Sequence, residues 1–188
     1  MRAFTRSSHV RSLSALGVLL LLGTAGMRTV QAADNASASA TAVVLQPIAV
    51  SKNADLVFGN VVIGNGDVTV ATDGTRTRSG TTALPTGVTP VAARFDVTGS
   101  GNNTFAVSYV GSDTVLTDLS ANTMAVDWIV EVVGTATPTG KTDATTDPTT
   151  GTLNAGAAFI FVGGKLTVGV AQPAGTYTGS VVVTVAYN

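Results

Sequence analysis

Chemistry in this chain would have to come from its acidic side chains. There are eleven, ten aspartates and Glu131, and they are scattered singly. Two pairs could converge in a fold, Asp143 with Asp147 and Asp67 with Asp73. Calcium takes about six to eight oxygen ligands, and no ligand loop of regular spacing surrounds either pair, so solvated loop acids are the expectation. A glycosidase would need two carboxylates facing each other across a cleft, and the spacing singles out no pair. The chain has no cysteine, and its one histidine is His9, inside a stretch expected to be removed. Ser-His-Asp and Cys-His catalysis and ordinary zinc ligation are then excluded. Gly64-Asn65-Gly66 and Gly99-Ser100-Gly101 suit tight turns, and neither opens a helix as a phosphate loop does. No enzyme, cofactor or metal site is expected.

The removable stretch is the N-terminus. Arg2, Arg6 and Arg11 precede an apolar run from Leu13 to Gly23, and Val30-Gln31-Ala32 places small residues where a signal peptidase reads. This pattern is a secretory signal peptide, and the run is too short to span a bilayer. Cleavage is expected after Ala32, with Ala33 or Asp34 as the alternative. A mature chain from residue 33 has 156 of the 188 residues, one domain by length, and no membrane span. Losing Arg2, Arg6, Arg11 and Arg28 takes the net charge from −1 to −5. Such a surface offers phosphate no basic patch, so nucleic acid is not an expected partner. Export without cysteine leaves packing and backbone pairing as the only stabilising devices. The expected location is the periplasm in transit, then the cell surface or an extracellular fibre.

The positioning elements read as strands. The last stretch, Gly175 to Asn188, puts Tyr177, Val181, Val183, Val185 and Tyr187 on one face, because strand side chains alternate. Met124 to Val133 puts Met124, Val126, Trp128, Val130 and Val132 on one face, with Asp127 and Glu131 on the other. Further strands are expected at Thr41–Val50 (broken or bulged at Pro47), Asp55–Ile63 (interrupted by Gly59) and Val68–Ala71. Asp73–Thr82 is polar and is either an exposed strand or a loop. Val91–Val97 and Thr104–Val110 look like a hairpin around Gly99–Asn103. Ala157–Val162 and Lys165–Val170 look like two strands joined through Gly163-Gly164. Thr135–Thr150, rich in Thr, Pro, Gly and Asp, reads as a long exposed loop with almost nothing to bury. Short strands with frequent turn signals and no helical periodicity argue for an all-β, antiparallel sandwich. Residues 33–42 form an extension to a domain at 43–188. Ala36, Ala38, Ala40, Ala42 and Val44 give it a period-two apolar edge. It is either a loose terminus or a strand able to pair with a sheet edge.

Three segments carry a family resemblance: Leu56-Val57-Phe58-Gly59, Gly163-Gly164-Lys165-Leu166-Thr167-Val168, and Pro173-Ala174-Gly175-Thr176-Tyr177-Thr178-Gly179 leading to the terminal Val-Thr-Val-Ala-Tyr. Over about Ala42 to Asn188 the chain resembles the bacterial surface family called domain of unknown function 4402. That family is similar to fimbrial domains of the spore-coat-U-like and chaperone–usher pilin kinds. The resemblance implies a single immunoglobulin-like, pilin-like sandwich that a donated strand would complete. It implies self-association into fibres, with a periplasmic chaperone and an outer-membrane usher as partners. Ala36, Ala38, Ala40, Ala42 and Val44 are then the candidate donor. Tyr177, Val181, Val183, Val185 and Tyr187 are the candidate acceptor face. Unlike many pilins, the chain lacks paired cysteines near its first strand, and its alanines fill an apolar groove less well than bulkier residues would. The other expectation is a self-complete secreted sandwich that binds a surface or matrix ligand through its loops, Thr135–Thr150 above all.

Overall fold

The computed structural model describes residues 34–111 and 115–188. The expected leader falls outside the described residues. The chain divides into two units, residues 1–41 and 42–188. Of the first, residues 34–41 are described, and they are exposed and in no strand. The second is all-β. Its strands are β1 (Ala49–Ala54), β2 (Gly66–Val70), β3 (Arg76–Arg78), β4 (Ala93–Thr98), β5 (Thr104–Gly111), β6 (Val115–Thr117), β7 (Thr123–Val133), β8 (Thr150–Thr152), β9 (Ala157–Val168) and β10 (Val181–Tyr187). Every strand pairing is antiparallel.

β9 is the spine. Along one edge it pairs with β7, from Phe159 opposite Val133 to Leu166 opposite Val126. Along the other it pairs first with β4, through Ala157–Val162, and then with β2, through Gly164–Val168. β1 extends this seven-stranded sheet beyond β4, β3 beyond β2, and β6 beyond the start of β7. The second sheet has only three strands, in the order β10-β5-β8. The two sheets meet over a core of Phe95, Val97, Phe105, Val107, Val130, Leu153, Ile160, Val162 and Val183. A second cluster lies on the same large sheet: Val68, Leu116, Met124, Val126, Leu166 and Val168. No strand of the small sheet contributes to it. Its cover is Phe58, Val61, Leu84 and Tyr177, all outside the named strands.

Several expectations change. Gly163 and Gly164 are not a turn, because β9 runs through them without interruption. They sit where β9 exchanges β4 for β2, and a Cβ on Gly163 would stand 2.2 Å from the Val70 carbonyl oxygen. Glycine in a strand interior here marks a close backbone approach. β4 and β5 are not a hairpin. They lie in different sheets, and Gly99–Asn103 crosses between them, so that Phe95 and Phe105 enter the core from opposite sides. Thr41–Val50 is extended but pairs only from Ala49, after the proline that cannot donate to a ladder. Asp55–Ile63 forms no ladder either, only single bridges from Val57 to Val91 and from Val62 to Ala83. Residues 76–78 of the polar stretch form an exposed edge strand.

Thr135–Thr150 is the expected loop and is mostly exposed, but it is also tied to the sheet as a strap. Glu131, on the face of β7 opposite the apolar row, is buried. Its carboxylate accepts hydrogen bonds from the Thr72 hydroxyl and from the Thr139 backbone N–H and hydroxyl. Lys141 Nζ reaches Val130 O at 2.9 Å and pairs with Asp147 at 2.7 Å. Asp147 also accepts the Val130 N–H at 2.9 Å. An ion pair thereby satisfies both backbone groups of Val130 on the edge of β7 that β9 leaves open, as an edge strand requires.

Candidate functional site

The acidic pairs do not converge. Asp143 accepts from the backbone and hydroxyl of Thr145, and Asp147 is held by Lys141. Asp67 faces Lys165, Ser79 and Thr167, while Asp73 accepts from Thr75 N–H. Hydrogen bonds from Thr145, backbone first, hold the Asp143 carboxyl below the usual carboxylate range. The Asn122 side chain does the same for Asp118. Burial, followed by the charge of Asp147, pushes the Tyr109 hydroxyl above its ordinary value. These are local structural ties. Among the described residues no three acidic, histidine or cysteine side chains gather around a possible metal position.

Among the described residues a groove of about 1010 Å³ lies over the second apolar cluster. Its floor is Ala93, Phe95, Leu116, Met124, Trp128, Leu166 and Val168. The floor is apolar except for the indole N–H of Trp128, which is buried and finds no acceptor. The walls are two irregular segments, one from Ala54 to Ile63 and one from Gln172 to Val181. No strand pairing joins them. The reason is the mismatch of the sheets: three strands cannot cover seven, and the uncovered part of the large sheet is bridged only by these walls.

Each wall is stiffened from outside. Arg76 Nη1 donates to Phe58 O at 2.9 Å and to Asn60 O at 3.1 Å, and its Nη2 donates to Pro85 O at 3.1 Å. Gly59 between them has φ +77°, and a Cβ there would stand 2.5 Å from that same guanidinium. Leu56-Val57-Phe58-Gly59 is therefore a kinked wall that aims Phe58 inward, and only glycine suits its bend. Opposite, Gln172 Nε2 donates to the Tyr177 hydroxyl and to Thr123 O, and the Tyr177 hydroxyl donates to Pro173 O. Thr178 bridges to Thr117, and Gly179 leaves room for Leu116, whose Cδ2 would be 2.7 Å from a Cβ. The Pro173–Gly179 stretch is thereby folded against β6.

The expected acceptor face is split. Val181, Val183, Val185 and Tyr187 point inward from β10, but Val183, Val185 and Tyr187 already pack in the closed core beneath the small sheet. Tyr177 is not on that strand. It precedes β10 and belongs to the second cluster. Only Tyr177 and Val181 of the five line the groove. The strand-parity reading missed Met124, Trp128, Leu166 and Val168 as a common floor with Phe58 facing it from the wall, because parity assigns a face and not what covers it. Among the described residues β10 pairs with β5 alone, and its other edge carries no ladder. Ala36, Ala38, Ala40, Ala42 and Val44 lie outside every strand and are exposed. No helix among the described residues is long and apolar enough to cross a membrane.

No curated protein matches the chain in sequence. The family model described as "Domain of unknown function (DUF4402)" matches residues 48–187. That span holds both sheets and both walls of the groove, and the chain belongs to the DUF4402 family.

Proposed function

We propose that the protein is a non-enzymatic structural subunit of a bacterial surface fibre, assembling by β-strand donation between copies. The observation that carries this reading is the groove. Apolar surface of the large sheet lies open between two irregular segments that no pairing joins, beside β10, whose outer edge pairs with no strand among the described residues. An added strand would bury that surface and give the unpaired backbone groups partners at once, which is how strand addition gains both affinity and durability. The exposed extension before β1 is the donor, the secretory leader delivers the chain to the periplasm, and a chaperone shields the groove until assembly. The competing reading, ligand capture by Thr135–Thr150, is weakened by the strap's chemistry: Lys141, Asp147 and Thr139 spend their polar groups on β7.

The test compares the chain from residue 33 with one from Leu45, by size exclusion and electron microscopy. Heat-stable ladders or fibres from the longer chain, lost from the shorter, are the expected result. A monodisperse monomer from the longer chain would overturn strand donation.

A further inference from the structure

We infer that Val43, Val44 and Leu45 of one molecule enter the groove of another, and that a clamp on Gln46 keeps them out of their own. The inference rests on the strand-donation reading and specifies its donor and its direction. From Asp34 to Gln46 the only apolar side chains larger than alanine are these three. Val43 is 86 % exposed and Val44 93 %. A groove floored by Phe95, Met124, Trp128 and Leu166 gains little from alanine methyls and much from branched chains, because the gain follows the apolar area removed from water.

The clamp decides which groove they can reach. Gln46 N–H donates to Ser100 Oγ at 2.6 Å, the Tyr187 hydroxyl donates to Gln46 O at 3.0 Å, and Ser100 N–H donates to the Tyr187 hydroxyl at 2.7 Å. Gln46 is thus pinned beside Tyr187, the last residue of β10. The groove opens at the opposite end of β10, at Val181. Six residue steps along β10 take Val181 to Tyr187, a distance of about 20 Å at ~3.3 Å per step. The path along β1 agrees: Lys52, at the groove, is also six residues from Gln46. Val43 is three residues from the clamp and reaches only about 10 Å even fully extended. The three apolar residues therefore fall short of their own groove, while nothing limits their approach to a second copy. Donor and acceptor sit at opposite ends of one molecule, the head-to-tail arrangement that yields an open filament.

The chain has no cysteine, so introduced thiols are unique. Val44→Cys and Val62→Cys, the second on the half-exposed groove wall, are made separately in chains of different tag mass and mixed before assembly. They are also combined in one chain. With a short thiol cross-linker, the mixture should give a dimer carrying both tags, and the double variant a ladder. A cross-link closed within single chains of the double variant would overturn the inference and leave strand filling intact. Assembly without any Val44–Val62 link would overturn this choice of donor residues. Absence of assembly, with a native melting curve, would overturn the strand-donation reading itself. In a control, the triple variant Val43→Ser, Val44→Ser, Leu45→Ser should cut assembly at least tenfold and leave a folded monomer.

Discussion

Glu131 shows most clearly how a single residue departs from its pattern. Its parity with Asp127 places it opposite the apolar row of β7, yet Thr72 and Thr139 hydrogen bond to it in the interior. A buried carboxylate is tolerable only while those donors remain, and the donors only while it does. Glu131→Leu keeps the volume roughly but orphans them. Each buried polar group left unpaired costs about 1–3 kcal/mol. Urea denaturation should show a loss of that order or larger, with the strap between Thr139 and Asp147 becoming the first segment to exchange its amides. An unchanged midpoint would mean that the strap does not contribute to stability. Gly59 and Gly163 are constrained differently, one by a positive φ beside Arg76 and the other by the Val70 carbonyl.

Among the elements, the groove wall is the one whose order depends on a residue outside it. Arg76, on the edge strand β3, holds three carbonyls of segments that make no ladder of their own. Arg76→Ala removes those bonds while leaving the core beneath the small sheet untouched. The expected outcome is a modest stability loss, about 1–2 kcal/mol for partly exposed hydrogen bonds to a charged group. Under strand donation, assembly should fall much more, because Arg76 no longer holds the groove wall in place. Equal proportional losses in thermal stability and in assembly would show that Arg76 acts only on the fold. Lys141 and Asp147 also tie the strap to the open edge of β7 at Val130, whereas the outer edge of β10 pairs with no strand among the described residues.

For the whole molecule, three shifted groups set the expected dependence on pH. Asp118 and Asp143 titrate lower in the fold than in the unfolded chain. Their contribution is present above the ordinary carboxylate value of 3.8 and is lost as pH falls below it. Tyr109 titrates higher, so its contribution is present below the ordinary tyrosine value of 10.0 and is lost as pH rises past it. With no histidine outside the expected leader and no cysteine, no side chain of a type that ordinarily titrates near neutrality remains. Thermal unfolding should therefore be flat from about pH 5 to 9 and should fall off on both sides. A transition near pH 6 would contradict this assignment.

The sequence by itself determined what strand period and turn chemistry encode. It marked the all-β class, the inward faces of β7 and β10, and the family. Val183 and Val130 were legible as core because alternation alone places them there. Only the tertiary structure decided the rest. Whether Gly163-Gly164 bends or runs straight depends on the approach of β2, which is about a hundred residues away in the chain. Whether Glu131 meets water depends on where Thr72 and Thr139 fold. The groove is still less local: it exists because a seven-stranded sheet is covered by a three-stranded one, a mismatch of areas between strands that no single segment contains.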